Sequence, residues 1–229
     1  ARATATVRHR NVIDVIDYGT TDDDQVPYIV MELLEGQSLG ARLRAAPPLS
    51  LTELVDIIGG ALNGLHVVHA KGIIHRDLKP ENIFLAHDSE SIVPKIVDFG
   101  ISRAGAITAS GSEAKLTMTG SVLGTPYYMS PEQVRGVKDI DGRTDIYSMG
   151  VILYEALAGH LPFTADTLGG LMVAIATEEA PTLAMIHADV GQPVREIRGR
   201  QAAEAVLRRH HEARLVTAVP QGGHERAGN

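Results

Sequence analysis

Cysteine is absent from the 229 residues, which excludes disulfide bonds and thiolate metal sites and leaves the redox compartment undecided. Also missing is any run of about 18 uninterrupted apolar residues, so no membrane span is expected. The longest apolar stretch, residues 146–159, is broken by Glu155. The opening Ala-Arg-Ala-Thr-Ala-Thr has neither an initiating Met nor an apolar signal core. It reads as the middle of a helix, as if the chain began partway through a gene. Lysine is scarce, and the first one is Lys71. With 21 Lys and Arg against 28 Asp and Glu, the net charge of −7 argues against a nucleic-acid partner. What is present suffices for a sizeable buried core in one or two domains.

Residues 12–18 alternate apolar and acidic side chains up to Gly19 and read as a strand. Asp22, Asp23 and Asp24 make a solvated turn. Residues 28–33 form a second strand, with Pro27 at its start, where a missing N–H is tolerated. Residues 38–45 read as a short helix ended by Pro47 and Pro48. Ser50 followed by Glu53 is a capping-box pattern that opens a helix running to about Lys71 and stopped by Gly72. Leu54, Ile57, Ile58, Ala61, Leu62 and Leu65 recur at helical spacing and define its buried face. His66 and His69 lie three apart on this helix. With no third ligand to complete a metal site, they read as packing histidines. Short strands are expected at 83–85 and 95–97, a Ser/Thr/Gly-rich mobile loop at 105–120, and helices at 145–158 and 167–177.

Two motifs dominate the chain. Residues 75–82 read His-Arg-Asp-Leu-Lys-Pro-Glu-Asn, and sixteen residues after Asn82 comes Asp98-Phe99-Gly100. Together they supply a candidate base (Asp77), a cation for a phosphate (Lys79), and two oxygen ligands of the kind that Mg²⁺ prefers (Asn82 and Asp98). Phosphoryl transfer needs that set, because the transferred group is dense in charge and must be positioned and neutralised. In this order and at this spacing, the motifs resemble the catalytic loop and metal-binding turn of eukaryotic-type serine/threonine protein kinases, of the kind also found in bacteria.

The resemblance implies an α+β, protein-kinase-like fold with a mainly helical C-lobe and a remnant of the N-lobe β-sheet. Residues 1–35 would be a partial N-lobe, 36–192 the C-lobe, and 193–229 a divergent segment, either disordered or out of frame. It implies ATP and Mg²⁺ as cofactors, a protein Ser or Thr as substrate, and a cytoplasmic location. Glu32, Leu33 and Leu34 would form the hinge against adenine, with Met31 guarding the pocket behind it and Phe84 also in contact with the nucleotide. Thr125 would contact Lys79 and the base. Arg76 would hold an activation loop phosphorylated at Thr117 or Thr119, where a phosphate adds about two negative charges. His75, Phe99, Gly100 and Asp145 would be structural, with Asp145 anchoring the backbone of the catalytic loop. Glu132 would pair with an arginine near the end of the domain, for which Arg214 is a candidate, and Ser130 stands where an Ala is usual in the A-P-E motif.

The resemblance covers roughly residues 5–185 and fails at both ends. No G-x-G-x-x-G precedes the hinge, and no lysine is available for the third-strand position. The implied reading is a kinase fragment lacking half of its phosphate clamp and inactive by itself. Its unpaired strand at 28–33 would invite dimerisation or aggregation. The competing reading is a pseudokinase or docking module. A small-molecule phosphotransferase fits less well, because Ser130-Pro131-Glu132 closes an activation segment that such enzymes lack.

Overall fold

The computed structural model describes residues 7–23, 26–88, 91–99 and 126–183. Two small antiparallel sheets lead into a set of helices. The first sheet pairs β1 (Val15–Thr20) with β2 (Pro27–Met31). The second has the order β3-β4-β5, with β3 at Gly36–Ser38, β4 at Ile83–Asp88 and β5 at Ser91–Ile96. The helices are α1 (Leu39–Arg44), α2 (Leu51–Ala70), the single turn α3 (Pro131–Val134), α4 (Arg143–Ala158) and α5 (Leu168–Thr177).

The helix starts follow their caps. Ser38, Ser50, Ser130 and Thr167 each accept a hydrogen bond from a backbone N–H in the first turn. Ser50 and Glu53 form the expected reciprocal box, and the Ser50 hydrogen bonds hold the Glu53 carboxyl below its ordinary pKa. The chain leaves α2 through Lys71 and Gly72, whose φ of 71° suits glycine.

The main core forms where α2 lies against β5 and α4. Leu54, Ile57, Ile58, Ala61, Leu65 and Val68 of α2 meet Ile83, Leu85, Ile96, Met149 and Ile152. Burying a side chain of this size contributes about 1.5–3 kcal/mol. A second cluster joins Tyr147 and Val151 of α4 to Phe163, Leu171 and Ile175. Among the described residues, α2 is the one helix long and apolar enough to cross a membrane. That test is also passed by the buried helix of a folded core, and the face just named is packed inside.

Several strand limits differ from the sequence reading. The strand expected at 12–18 begins at Val15, because Val12 pairs in parallel with Ile96 and Ile13 donates to the Ile96 carbonyl at 2.9 Å. The second strand ends at Met31, not at residue 33, and Leu33 is 93% exposed. β4 and β5 are longer than the apolar pattern suggests, since the ladder continues through polar His87, Asp88 and Ser91. β3 went unread: it is three residues long and exists through its pairing with β4. There Gly36, at φ 141°, sits where a Cβ would fall 2.0 Å from the Leu85 carbonyl oxygen. The loop expected at 105–120 lies outside the described residues.

Two glycines of α2 should respond oppositely to alanine. A Cβ at Gly64 would lie 2.6 Å from the backbone oxygen of Asn11, whereas one at Gly59 meets nothing within 4 Å. Gly59→Ala should therefore gain about 0.5–1 kcal/mol from helix propensity. Gly64→Ala should lose about 1–3 kcal/mol through overpacking. Urea denaturation of the two variants measures both.

Candidate active site

The loop 75–82 hangs from one buried carboxylate. Asp145 lies in the first turn of α4 and is fully buried. Its Oδ1 accepts the backbone N–H of Arg76 at 2.8 Å, and its Oδ2 accepts that of His75 at 2.8 Å. The Nε2 of His69 lies 2.7 Å from the same Oδ2. Arg76 adopts φ 66°, a left-handed conformation that costs a non-glycine residue about 1–2 kcal/mol. The hydrogen bonds to Asp145 offset that cost and turn the following residues outward.

His75 ties this loop to the strand that leads to Asp98. Its Nε2 donates to the Val97 carbonyl at 2.9 Å, and its Nδ1 accepts the backbone N–H of Asp77 at 3.3 Å. One nitrogen must carry hydrogen and the other must not, so the ring is the neutral Nε2–H tautomer. Burial pushes its pKa down, which agrees with that assignment. The ring also packs against Phe99, with centroids 5.1 Å apart. Asp98 itself is exposed and has φ 54°.

Around this frame the candidate chemical groups converge. Lys79 Nζ lies 3.3 Å from Asp77 Oδ2, both side chains being partly exposed. Asn82 Nδ2 donates to the Asp77 carbonyl at 2.8 Å, which leaves its Oδ1 available as a ligand. Val97 donates to the Asn82 carbonyl at 3.0 Å, so the segment that follows β5 and leads to Asp98 runs beside Asn82. Among the described residues no group of three His, Asp or Glu could hold a metal alone. One amide oxygen and one carboxylate fit Mg²⁺ instead, an ion that is commonly held by few protein oxygens together with substrate phosphates and water.

A cleft opens beside Asp77 and Lys79, lined also by Arg76, Tyr128, Gln133 and Ser148. Its far wall is fastened to α4. The Tyr128 hydroxyl donates to Glu155 at 2.7 Å, and burial together with that carboxylate pushes its pKa well up. Ser148 Oγ donates to the Tyr128 carbonyl at 2.7 Å, and Gln133 Nε2 donates to the Arg76 carbonyl at 2.7 Å. Sequence reasoning did not single out Tyr128, Gln133, Ser148 or Glu155. The one signal was Glu155, a charge interrupting an apolar helix.

The remaining sequence-derived candidates fall into three groups. Met31 and Glu32 end and follow β2, Leu34 packs on the main core, and Phe84 lies on β4 between Ser38 and Lys95. Glu132 lies in the first turn of α3, where its charge is felt by Arg143. Ser130, read as a mild departure, caps α3 and shares a buried hydrogen bond of 2.6 Å with Thr144. Gly100, Thr117, Thr119, Thr125 and Arg214 lie outside the described residues. The reading of His66 and His69 as packing histidines needs correction. His66 is exposed, and His69 is the partner of Asp145, drawn there because α4 runs close beneath α2.

Residues 1–211 match the protein kinase domain. The chain belongs to the protein kinase family. The match reaches beyond the expected 5–185 at both ends. This kinase chain is 42% identical over 182 residues to serine/threonine-protein kinase pkn3 of Myxococcus xanthus, covering 79% of the chain and 32% of that protein. It is 42% identical over 167 residues to serine/threonine-protein kinase PknL of Mycobacterium tuberculosis, covering 73% and 39%. It is 34% identical over 210 residues to the probable serine/threonine-protein kinase PknB of Lactococcus lactis, covering 92% and 32%. The kinase chain thus spans about a third of the length of these curated relatives.

The buried neutral His75 sets a pH dependence. Its folded pKa lies below its unfolded value of about 6.5, so the unfolded chain takes up a proton that the folded chain refuses. The contribution is fully present above pH ~6.5 and is lost as pH falls toward the folded pKa. For this one group the slope cannot exceed about 1.4 kcal/mol per pH unit. Denaturation between pH 7.5 and 5.5 should show stability falling with pH, and falling less steeply in His75→Gln.

Proposed function

We propose that this chain carries the phosphoryl-transfer half of a serine/threonine protein kinase, which moves the γ-phosphoryl group of ATP to a protein Ser or Thr with Mg²⁺. The observation that carries the reading is the grouping of Asp77, Lys79 and Asn82 on one loop hung from Asp145, with His75 and Val97 linking that loop to Asp98. Mg²⁺, when bound, would supply positive charge against the phosphates. Asn82 and Asp98 would hold it. Asp77 orients the substrate hydroxyl and accepts its proton, and Lys79 offsets charge on the transferred group. The cleft against Tyr128, Gln133 and Ser148 is where the substrate hydroxyl enters.

Other parts of the reading rest on the same family. Adenine lies against residues 31–34 over Phe84, residues 1–35 are a partial N-lobe, and 36–192 are the C-lobe. The protein works in the cytoplasm on protein substrates and not on nucleic acid. Arg76 is exposed and has no ion pair among the described residues, which leaves its guanidinium open to a phosphate on Thr117 or Thr119. The apolar residues Tyr28, Val30 and Met31 are 40–43% exposed on a strand that pairs with β1 alone among the described residues, which favours association through that edge.

The test is transfer from labelled ATP to a generic protein substrate. In an active form of the kinase, Asp77→Asn should lower transfer by about 10²- to 10⁴-fold and leave nucleotide binding nearly intact. Asp98→Ala should weaken Mg²⁺-dependent nucleotide binding as well. Near-normal turnover in Asp77→Asn would remove the base assignment. Phosphate mapped by mass spectrometry should lie on Thr117 or Thr119, and Arg76→Ala should gain little activity from it. Residues 1–229 alone hold no G-x-G-x-x-G ahead of Glu32 and no lysine ahead of Lys71. By themselves they should transfer phosphate orders of magnitude more slowly than a complete clamp, because positioning supplies most of the catalysis in this reaction. Nucleotide binding without any transfer, in every form tested, would favour the docking-module reading.

A further inference from the structure

Glu32 was singled out as part of the hinge against adenine, but its side chain makes contacts that this role does not use. The carboxylate lies 2.7 Å from Lys95 Nζ, and its Oε1 also accepts the backbone N–H of Asp14 at 2.8 Å. The side chains are only 29% and 16% exposed, so this pair is more sheltered than an ordinary surface pair. The three residues come from three segments. Asp14 precedes β1, Glu32 follows β2, and Lys95 sits in β5, three residues before Asp98 and paired in register with Phe84. A second set of bonds runs in parallel. Glu32 donates to the Asp14 carbonyl at 3.0 Å, Ile13 donates to the Ile96 carbonyl at 2.9 Å, and Ile96 donates to the Asn11 carbonyl at 2.9 Å.

Among the described residues, the β1-β2 hairpin shares no sheet with β3-β4-β5. This junction is where its flanking residues meet the strand that leads to Asp98. We infer that Lys95 and Glu32 are positioning residues, forming a staple that holds residues 31–34 at a set distance from Phe84 and Asp98, so that one nucleotide reaches the adenine edge and the metal ligands together. Lys95 is assigned this role through its ion pair with Glu32 and not through contact with metal or phosphate. It acts through Glu32, whose carboxylate it holds against the Asp14 N–H. The functional consequence rests on the reading of residues 31–34 and Phe84 as the nucleotide edge, whereas the staple itself does not.

The experiment uses the 229-residue chain with Lys95→Met, Glu32→Gln and the conservative Lys95→Arg, each checked for folding by circular dichroism. Hydrogen exchange followed by mass spectrometry reads the amides of Asp14 and Glu32. Fluorescence titration with an N-methylanthraniloyl-ATP probe and Mg²⁺ reads nucleotide affinity. The expected result is faster exchange at both amides and an affinity about 5-fold weaker in Lys95→Met and Glu32→Gln, with Lys95→Arg close to the unaltered chain. Lys95→Arg alone, if it folds, keeps the charge and so shows that the loss follows the ion pair and not general disruption. Unchanged exchange in both charge-removing variants would overturn the staple. Faster exchange with unchanged or tighter binding would overturn its positioning role. If the unaltered chain bound no probe at all, the nucleotide-edge reading would fall, and the exchange measurement would still decide whether the staple holds the hinge.

Discussion

A carboxylate removed from water is expensive unless every lone pair it presents finds a donor, and the geometry of the loop 75–82 depends on one such group. Asp145 is buried, yet it gathers the N–H groups of His75 and Arg76 and the ring of His69. Removing any donor would leave charge uncompensated in a low-dielectric interior, which usually costs several kcal/mol. The arrangement therefore behaves as a unit. It forces Arg76 into a left-handed conformation, turns Asp77 and Lys79 toward the cleft, and sets where His75 can reach Val97.

The second consequence is a division of labour between buried and exposed groups. His75, Asn82, Ser130, Thr144, Asp145 and Ser148 are polar and buried, and each has a hydrogen-bond partner. Asp77, Lys79 and Asp98 remain in contact with solvent. Rigid polar contacts inside thus hold in place a small number of charges that stay free to meet a ligand. The cleft wall follows the same logic: Tyr128, Gln133 and Ser148 are tied to α4 or to the Arg76 carbonyl, so both sides of the cleft refer to one helix.

What could be read in the chain before folding had short range. The capping box at Ser50 and Glu53, the stop at Gly72, and the apolar face of α2 depend on residues three or four apart, and all appear where the pattern put them. The loop 75–82 and Asp98 were legible because that chemistry needs a set order and spacing of residue types, and the match to protein kinases bears out the family they suggested. Strand limits were less legible, because Val12 leaves β1 for Ile96, and β3 exists only as a partner of β4.

The sequence by itself determined the family, the α+β class, the longer helices and which side chains are candidates for the site, since each follows from local periodicity or from a contiguous motif. Only the tertiary structure decided what holds them. That Asp145 reaches across about seventy residues to His75 and Arg76, that His69 joins it, and that Lys95 closes on Glu32 over 63 positions could not be read from spacing. The physical reason is that such contacts carry no periodicity along the chain. They form when packing of α2, α4 and β5 brings distant polar groups out of water together, and the cost of leaving any one unpaired then selects the partners.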